Sequence, residues 1–203
     1  MVVNTPFMAT EPSQLSNSQR ARRIRIVETA MRLAGEGGYD AVQMRTVAEQ
    51  SGVALGTIYR YFAGKDEVLL AGLVGWLRLS QQRLSTDPLP GGDPAERLAV
   101  LLERSATTAV QRPRLMGALV TALGTTSPLA VDPKRLVEQE LREIITTALG
   151  VDSGVDSEGI ARVLGHVWLS SLTRWVSGMA PAESVGAELQ HAAKMMVSAM
   201  VRA

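Results

Sequence analysis

Residues 44 to 65 read MRTVAEQSGVALGTIYRYFAGK, and their spacing predicts two short helices joined by a sharp turn. Met44, Val47 and Ala48 form an apolar stripe on the first helix, Gly52 supplies the turn, and Leu55, Ile58 and Phe62 make the buried face of the second. That register turns Gly56, Thr57, Tyr59, Arg60 and Tyr61 outward. Small residues let a helix approach closely, hydroxyls reach phosphate oxygens, and an Arg guanidinium grips a guanine edge. The open face therefore has the chemistry that a DNA major groove demands.

On the amino-terminal side, Ile24, Val27, Met31 and Ala34 recur at helical spacing, and Gly35, Gly37 and Gly38 are expected to end that helix. Residues 20 to 62 then make three helices around one small core. The run RARRIR at residues 20 to 25 reads either as a solvated helix start or as a contact to phosphate or the minor groove. Residues 1 to 18, rich in Thr, Pro, Ser, Asn and Gln, are expected to form a flexible arm.

On the carboxyl-terminal side, Leu69, Leu73, Trp76, Leu77, Ser80 and Leu84 mark a fourth helix that links this head to a body. Its amino-terminal amides and Lys65 suit a phosphate, while Asp66 and Glu67 at the same end oppose it. The loop DPLPGGD at residues 87 to 93 precedes five more helices. Asp93, Pro94 and Glu96 start the fifth, Pro113 opens the sixth, and Asp132 with Pro133 is expected to cap the seventh. The eighth, residues 157 to 177, carries an apolar arc too wide for one partner, including Val163, Leu164, Trp168, Leu172 and Trp175. The ninth, expected from Pro181, repeats Val185, Leu189, Ala192, Met196 and Met200 near a heptad seam. No long strand-like alternation interrupts these patterns, so the expected fold class is all-α.

Composition narrows the function classes. Net charge over the 203 residues is only +1, but it is unevenly placed: residues 1 to 65 hold eight Lys and Arg against five acids, and residues 66 to 203 hold thirteen against fifteen. A basic front on a mildly acidic remainder suits a DNA-reading head. There is no cysteine and no apolar run of the roughly 18 residues that span a membrane, and the N-terminus does not resemble a secretion signal. A cytoplasmic location is expected, with no membrane partner. Catalysis is not expected: His166 and His191, without cysteine, are too few for a dedicated metal site, and no nucleophile or phosphate-loop signature surrounds any candidate. No cofactor is expected either. The other class open to such a chain is a helical protein–protein interaction module that does not bind DNA.

An effector cavity is expected among helices five to eight, lined by Met116, Leu119, Leu123, Trp168, Leu172 and Trp175. Each alone reads as ordinary core, and as a set they imply a large apolar space. Arg112, Arg114, Arg162 and Arg174 are placed to meet an acidic group of an effector or to remain solvated.

The stretch GGYDAVQMRTVAEQSGVALGTIYRYFAGKDEVL, residues 37 to 69, resembles the DNA-binding signature of the TetR family of bacterial repressors. The resemblance implies a helix-turn-helix head over residues 19 to 64 and a helical body over 65 to 203 that binds a small molecule and dimerises through its last two helices. It also implies that Thr57, Tyr59, Tyr61 and Lys65 contact phosphates and that Arg45 and Arg60 sit where bases are read, with Gly56 at the close approach. Thr46 reads as a local cap or a further phosphate contact, and Tyr59 and Tyr61 also read as core aromatics. A homodimer would read a palindromic double-stranded operator with half-sites roughly 34 to 36 Å apart. QRARRIRIVETAM and ARVLGHVWLSSLTRWV resemble a steroid-catabolism branch of the same family. That resemblance implies a bulky hydrophobic effector, a steroid-derived acyl-CoA thioester, that releases the operator.

Overall fold

The computed structural model describes residues 16–90, 93–150 and 156–200, apart from the side chains of 198–200. Among the described residues the chain is all-helical: α1 (Asn17–Ala41), α2 (Met44–Ser51), α3 (Leu55–Tyr61), α4 (Lys65–Thr86), α5 (Pro94–Val110), α6 (Pro113–Gly124), α7 (Val131–Leu149), α8 (Ser157–Val176) and α9 (Glu183–Met200). The arm expected over residues 1 to 18 lies, up to residue 15, outside the described residues. Parts of the loops around Gly91 and Val151 lie outside them too, as does the side chain of Met200.

α1 begins at Asn17, before the arginine run, because Ser16 and Gln19 form a capping box. The Gln19 amide donates to Ser16 Oγ at 3.3 Å and the Ser16 amide to Gln19 Oε1 at 2.8 Å. The expected stop at Gly35 and Gly37 does not occur. The helix runs through both, is broken only at Gly38 (φ 74°), and makes one further turn to Ala41. Glycine weakens a helix by only about 1 kcal/mol per residue, which the packing of Leu33 and Ala34 offsets here. The buried stripe is Ile26, Ala30, Leu33 and Ala34, while Ile24, expected inward, is 54% exposed. Val27 and Met31 are half-buried flanks of that stripe. α1 lies against α4 so closely that a Cβ on Gly72 would stand 2.3 Å from Met31 Sδ.

α4 carries seven buried residues, Val68 to Leu77 in span, and joins the head to the body. Its partners are α1, α6 and α7, and α1 itself lies along α6. Arg78 Nε donates to the buried Glu140 carboxylate of α7 at 2.6 Å, with Gln81 to Glu143 at 3.2 Å one turn on. In the body, α5 packs on α7 and α9, and α8 on α6, α7 and α9. Arg97 closes the carboxyl end of α7 by donating to the carbonyls of Ala148 (2.9 Å) and Leu149 (2.7 Å).

Two helix starts differ from expectation. α7 begins at Val131, on a 3-10 turn over Pro128–Ala130 that Ser127 caps, so Asp132 stands inside the first turn and bonds Arg135 at 3.2 Å. α9 begins at Glu183, since Pro181 and Ala182 are spent in the preceding turn, their carbonyls accepting from Ser184 and Val185. Its buried stripe is Val185, Leu189, Ala193 and Val197, leaving Ala192 and Met196 half-buried at its edge. Among the described residues no single helix is long and apolar enough to cross a membrane.

Candidate functional site

The head places its groove-facing residues by burying their neighbours. Gly52 takes the left-handed conformation (φ 65°, ψ 30°), and the Val53 amide bonds the Ala48 carbonyl at 3.2 Å, ending α2 in a Schellman-type turn. Val47, Val53, Ile58 and Phe62 are all at most 5% exposed and join Ile26 and Val42 in one core. α3 is therefore pinned by Ile58 and Phe62, while Gly56, Tyr59 and Arg60 stay out of the packing. Gly56 is exposed, and a Cβ there would meet, among the described residues, no atom outside its own stretch of helix within 4 Å. Tyr59 is 40% exposed and Arg60 is exposed beside it, with Arg45 exposed on the first turn of α2.

The other predicted contacts are partly engaged in the fold. Thr57 and Thr46 are half-buried, and Thr46 is not the cap of α2, because Gln43 occupies that position. Tyr61 is half-buried and packs against the core instead of standing fully outward. Lys65 is half-buried, with Nζ 3.3 Å from the Tyr39 carbonyl oxygen and 3.7 Å from the centre of the Tyr39 ring. The Tyr39 hydroxyl in turn donates to Asp66 Oδ1 at 2.5 Å. Burial first, and then this bond to Asp66, push the Tyr39 hydroxyl up to about 12. The other carboxylate at this helix start, Glu67, accepts from the Ala63 amide at 2.6 Å, and burial raises it above its ordinary value.

Sequence spacing does not reveal this junction, since Tyr39 and Lys65 are 26 positions apart. Nor does it reveal that Arg23 leaves the basic run to lie 4.9 Å over the Phe62 ring, where burial, then Arg78, lowers its pKa. Arg20, by contrast, is exposed, as is Arg25. Arg32 bonds both Glu36 and Gln50, tying α1 to α2.

In the body, Met116, Leu119 and Leu172 are at most 5% exposed, while Leu123, Trp168 and Trp175 are half-buried, and all six belong to the same core. Val120, Val167 and Val176 on the same two helices are half-buried and pack against the same core. A cleft of about 610 Å³ lies elsewhere, between α1 and the start of α6, and none of the six lines it. Arg112 and Arg114 do: Arg112 sits 5.9 Å from the centre of the Trp76 ring and Arg114 donates to the Glu36 carbonyl at 2.6 Å. Arg162 and Arg174 are exposed on α8, where His166 is exposed as well, and His191 is exposed on α9. Among the described residues no three His, Asp or Glu side chains gather as a metal would require.

A pinned helix-turn-helix with an open, cationic second helix, carried on a larger helical body, defines a DNA-binding transcriptional regulator. The chain belongs to the TetR family: residues 26–71 match the model for bacterial regulatory proteins of the tetR family, and residues 91–203 match the tetracyclin repressor-like C-terminal domain. It is 34% identical to the HTH-type transcriptional repressor KstR of Rhodococcus jostii over 90% of this chain and 85% of that protein. It is 32% identical to KstR of Mycolicibacterium smegmatis over 90% of each. Among solved structures, a TetR transcriptional regulator from Rhodococcus sp. RHA1 superposes with a TM-score of 0.77 at 27% identity, covering 90% of this chain and 98% of that one. FadR of Bacillus subtilis, solved with stearoyl-CoA, shares the fold with a TM-score of 0.62 at 20% identity, over 86% of this chain and 97% of that one.

Proposed function

We propose that residues 19 to 64 are the operator-reading head and 65 to 203 the effector-binding and dimerising body of a repressor that a bulky hydrophobic ligand releases from DNA. The observation that carries this reading is the outer face of α3. Gly56, Tyr59 and Arg60 are exposed there, on a helix that buries Ile58 and is followed by the buried Phe62 while Leu55 is half-buried, and Arg45 is exposed nearby. Arg45 and Arg60 read bases, Thr46, Thr57, Tyr59, Tyr61 and Lys65 hold phosphates, and Gly56 lets the helix come close. Two heads read the two halves of a palindrome. The faces of α8 and α9 that are not used within the chain supply the dimer seam, since Val163, Leu169 and Met195 are 44%, 37% and 61% exposed on them.

The effector is taken up among α5 to α8 by Met116, Leu119, Leu123, Trp168, Leu172 and Trp175. Its class is an acyl-CoA thioester, steroid-derived by resemblance to KstR, and stearoyl-CoA in the FadR of like fold motivates the same class. An effector changes DNA affinity only through unequal affinity for two head spacings. α6 lies against both α1 and α4, which carry the head, so separating α6 from α8 moves the elements that set that spacing.

The test is duplex binding by the wild-type chain and a Tyr59→Phe, Arg60→Ala variant, using DNA from upstream of its own and neighbouring genes. Binding that is lost in the variant, weakens steeply with salt through counterion release and is relieved by stearoyl-CoA supports the reading. A wild-type chain that binds no duplex, or binds with a flat salt response, sinks the DNA half. A monomer by sedimentation at micromolar concentration sinks the dimer.

A further inference from the structure

The α8 stripe holds a polar group that a purely apolar pocket leaves unused. Trp168 stands one turn from Leu164 and one turn from Leu172, both buried, and packs on the same core. Its indole Nε1 is shut off from solvent, and no acceptor among the described residues lies within hydrogen-bond reach of it. Indole nitrogen is a donor only, and a buried indole ordinarily finds an acceptor. On the adjoining turns Ser171 Oγ donates to Glu188 at 2.5 Å and Thr173 Oγ1 to the Leu169 carbonyl at 2.7 Å, and neither oxygen lies within reach of the indole. A buried donor without an acceptor destabilises the chain that carries it. Phenylalanine would fill most of the same space without that cost, so simple packing does not account for an indole here.

We infer that Trp168 Nε1–H is the polar reader of the effector site, donating to an acceptor oxygen carried on an otherwise apolar ligand. The inference rests on the effector reading above and adds a chemical requirement to it. The acceptor is a carbonyl oxygen, which has two sources: the thioester carbonyl present in every acyl-CoA, or a ketone on the apolar body. Trp168 then fixes the ligand's depth along α8, while Leu172, Leu119 and Met116 supply area without direction.

Three probes separate the sources: stearoyl-CoA, S-octadecyl-CoA in which the thioester carbonyl is replaced by methylene, and 4-cholesten-3-one. Calorimetric titration of the wild-type chain and Trp168→Phe is expected to show a loss of about three- to tenfold for a carbonyl-bearing probe and none for S-octadecyl-CoA. Loss with stearoyl-CoA assigns the thioester; loss with the steroid ketone alone assigns the ring carbonyl. Equal loss for every probe that binds, or no loss for any, overturns the assignment and leaves the effector reading standing. Absence of binding to the wild-type chain overturns the effector reading and this assignment with it. Should Trp168→Phe fail to fold, the native chain answers by indole ¹⁵N NMR, its three tryptophan signals assigned through Trp76→Phe and Trp175→Phe. The Trp168 Nε1 proton is expected to move downfield with the carbonyl probe that binds and to stay in place with S-octadecyl-CoA. A resonance that responds alike to both, or to neither, overturns the assignment.

Discussion

The head and the body solve the same problem in opposite ways. In α3, packing and function occupy different faces: Ile58 is fully buried and Phe62 nearly so, while Gly56, Tyr59 and Arg60 stand in solvent. Around α6 and α8 the candidate functional residues are themselves the core, with Met116, Leu119 and Leu172 at most 5% exposed. Gly56, Tyr59 or Arg60 can be exchanged without touching the fold. A body residue can seldom be, because an apolar side chain that receives an apolar effector also holds the helices together without it. The lesson is that variants in the two regions should separate stability from binding in one place and couple them in the other.

The largest effect that bears on this contrast is expected from Leu119→Ala. Emptying a nearly buried leucine site should cost about 2–5 kcal/mol of stability, read by denaturant unfolding, and effector affinity should change with it. An unchanged unfolding midpoint would break the claim that pocket and core coincide. Next comes Arg60→Ala, expected to cost about 1–3 kcal/mol of operator affinity in fluorescence anisotropy while leaving the unfolding midpoint in place. Loss of stability as large as the loss of binding would break the claim that the two faces of α3 are independent.

Gly56→Ala sharpens the same point with a smaller change. The new methyl meets, among the described residues, no atom outside its own stretch of helix, so helix propensity should raise stability by about 0.5 kcal/mol, while crowding against DNA lowers affinity. A variant with both higher stability and undiminished operator binding would show that α3 does not approach a groove at Gly56.

The smallest effect concerns the hinge between the regions. The Tyr39 hydroxyl is pushed up to about 12 from an ordinary 10. A raised value means that the folded chain holds the proton more tightly, so this contribution to stability is complete below pH 10 and disappears as pH rises to about 12. Tyr39→Phe should therefore lose less stability than the wild-type chain over that interval when unfolding is followed by circular dichroism. Equal losses would remove Tyr39 and Asp66 from the account of how α4 is anchored.

The head was the more legible region, for a local reason. Gly52 marks the turn, and Val47, Ile58 and Phe62 fall at spacings that only one register of two short helices satisfies. Spacing misplaced Ile24, which is exposed, since the stripe through Ile26, Ala30 and Leu33 is chosen by where α4 and α6 lie and not by α1 itself. Of the three glycines expected to end α1, Gly38 does break it, while the helix runs through Gly35 and Gly37 because propensity is a weaker force than the packing of Leu33 and Ala34. In the body, six apolar residues on two helices were legible as a group, but core and pocket have the same periodicity.

Hydrophobic spacing, punctuation by Gly52, Pro113 and Asp93, and the polar face of α3 are written in short stretches of chain, because each depends on neighbours within a turn or two of helix. They determined an all-helical protein with a DNA-reading head. Tertiary structure alone decided that Lys65 lies on the ring of Tyr39, that Arg78 reaches the buried Glu140, and that the indole N–H of Trp168 is enclosed without an acceptor among the described residues. Each of these joins or isolates groups through contacts between separate helices. Electrostatics and desolvation act on distance in space, which spacing along the chain does not record.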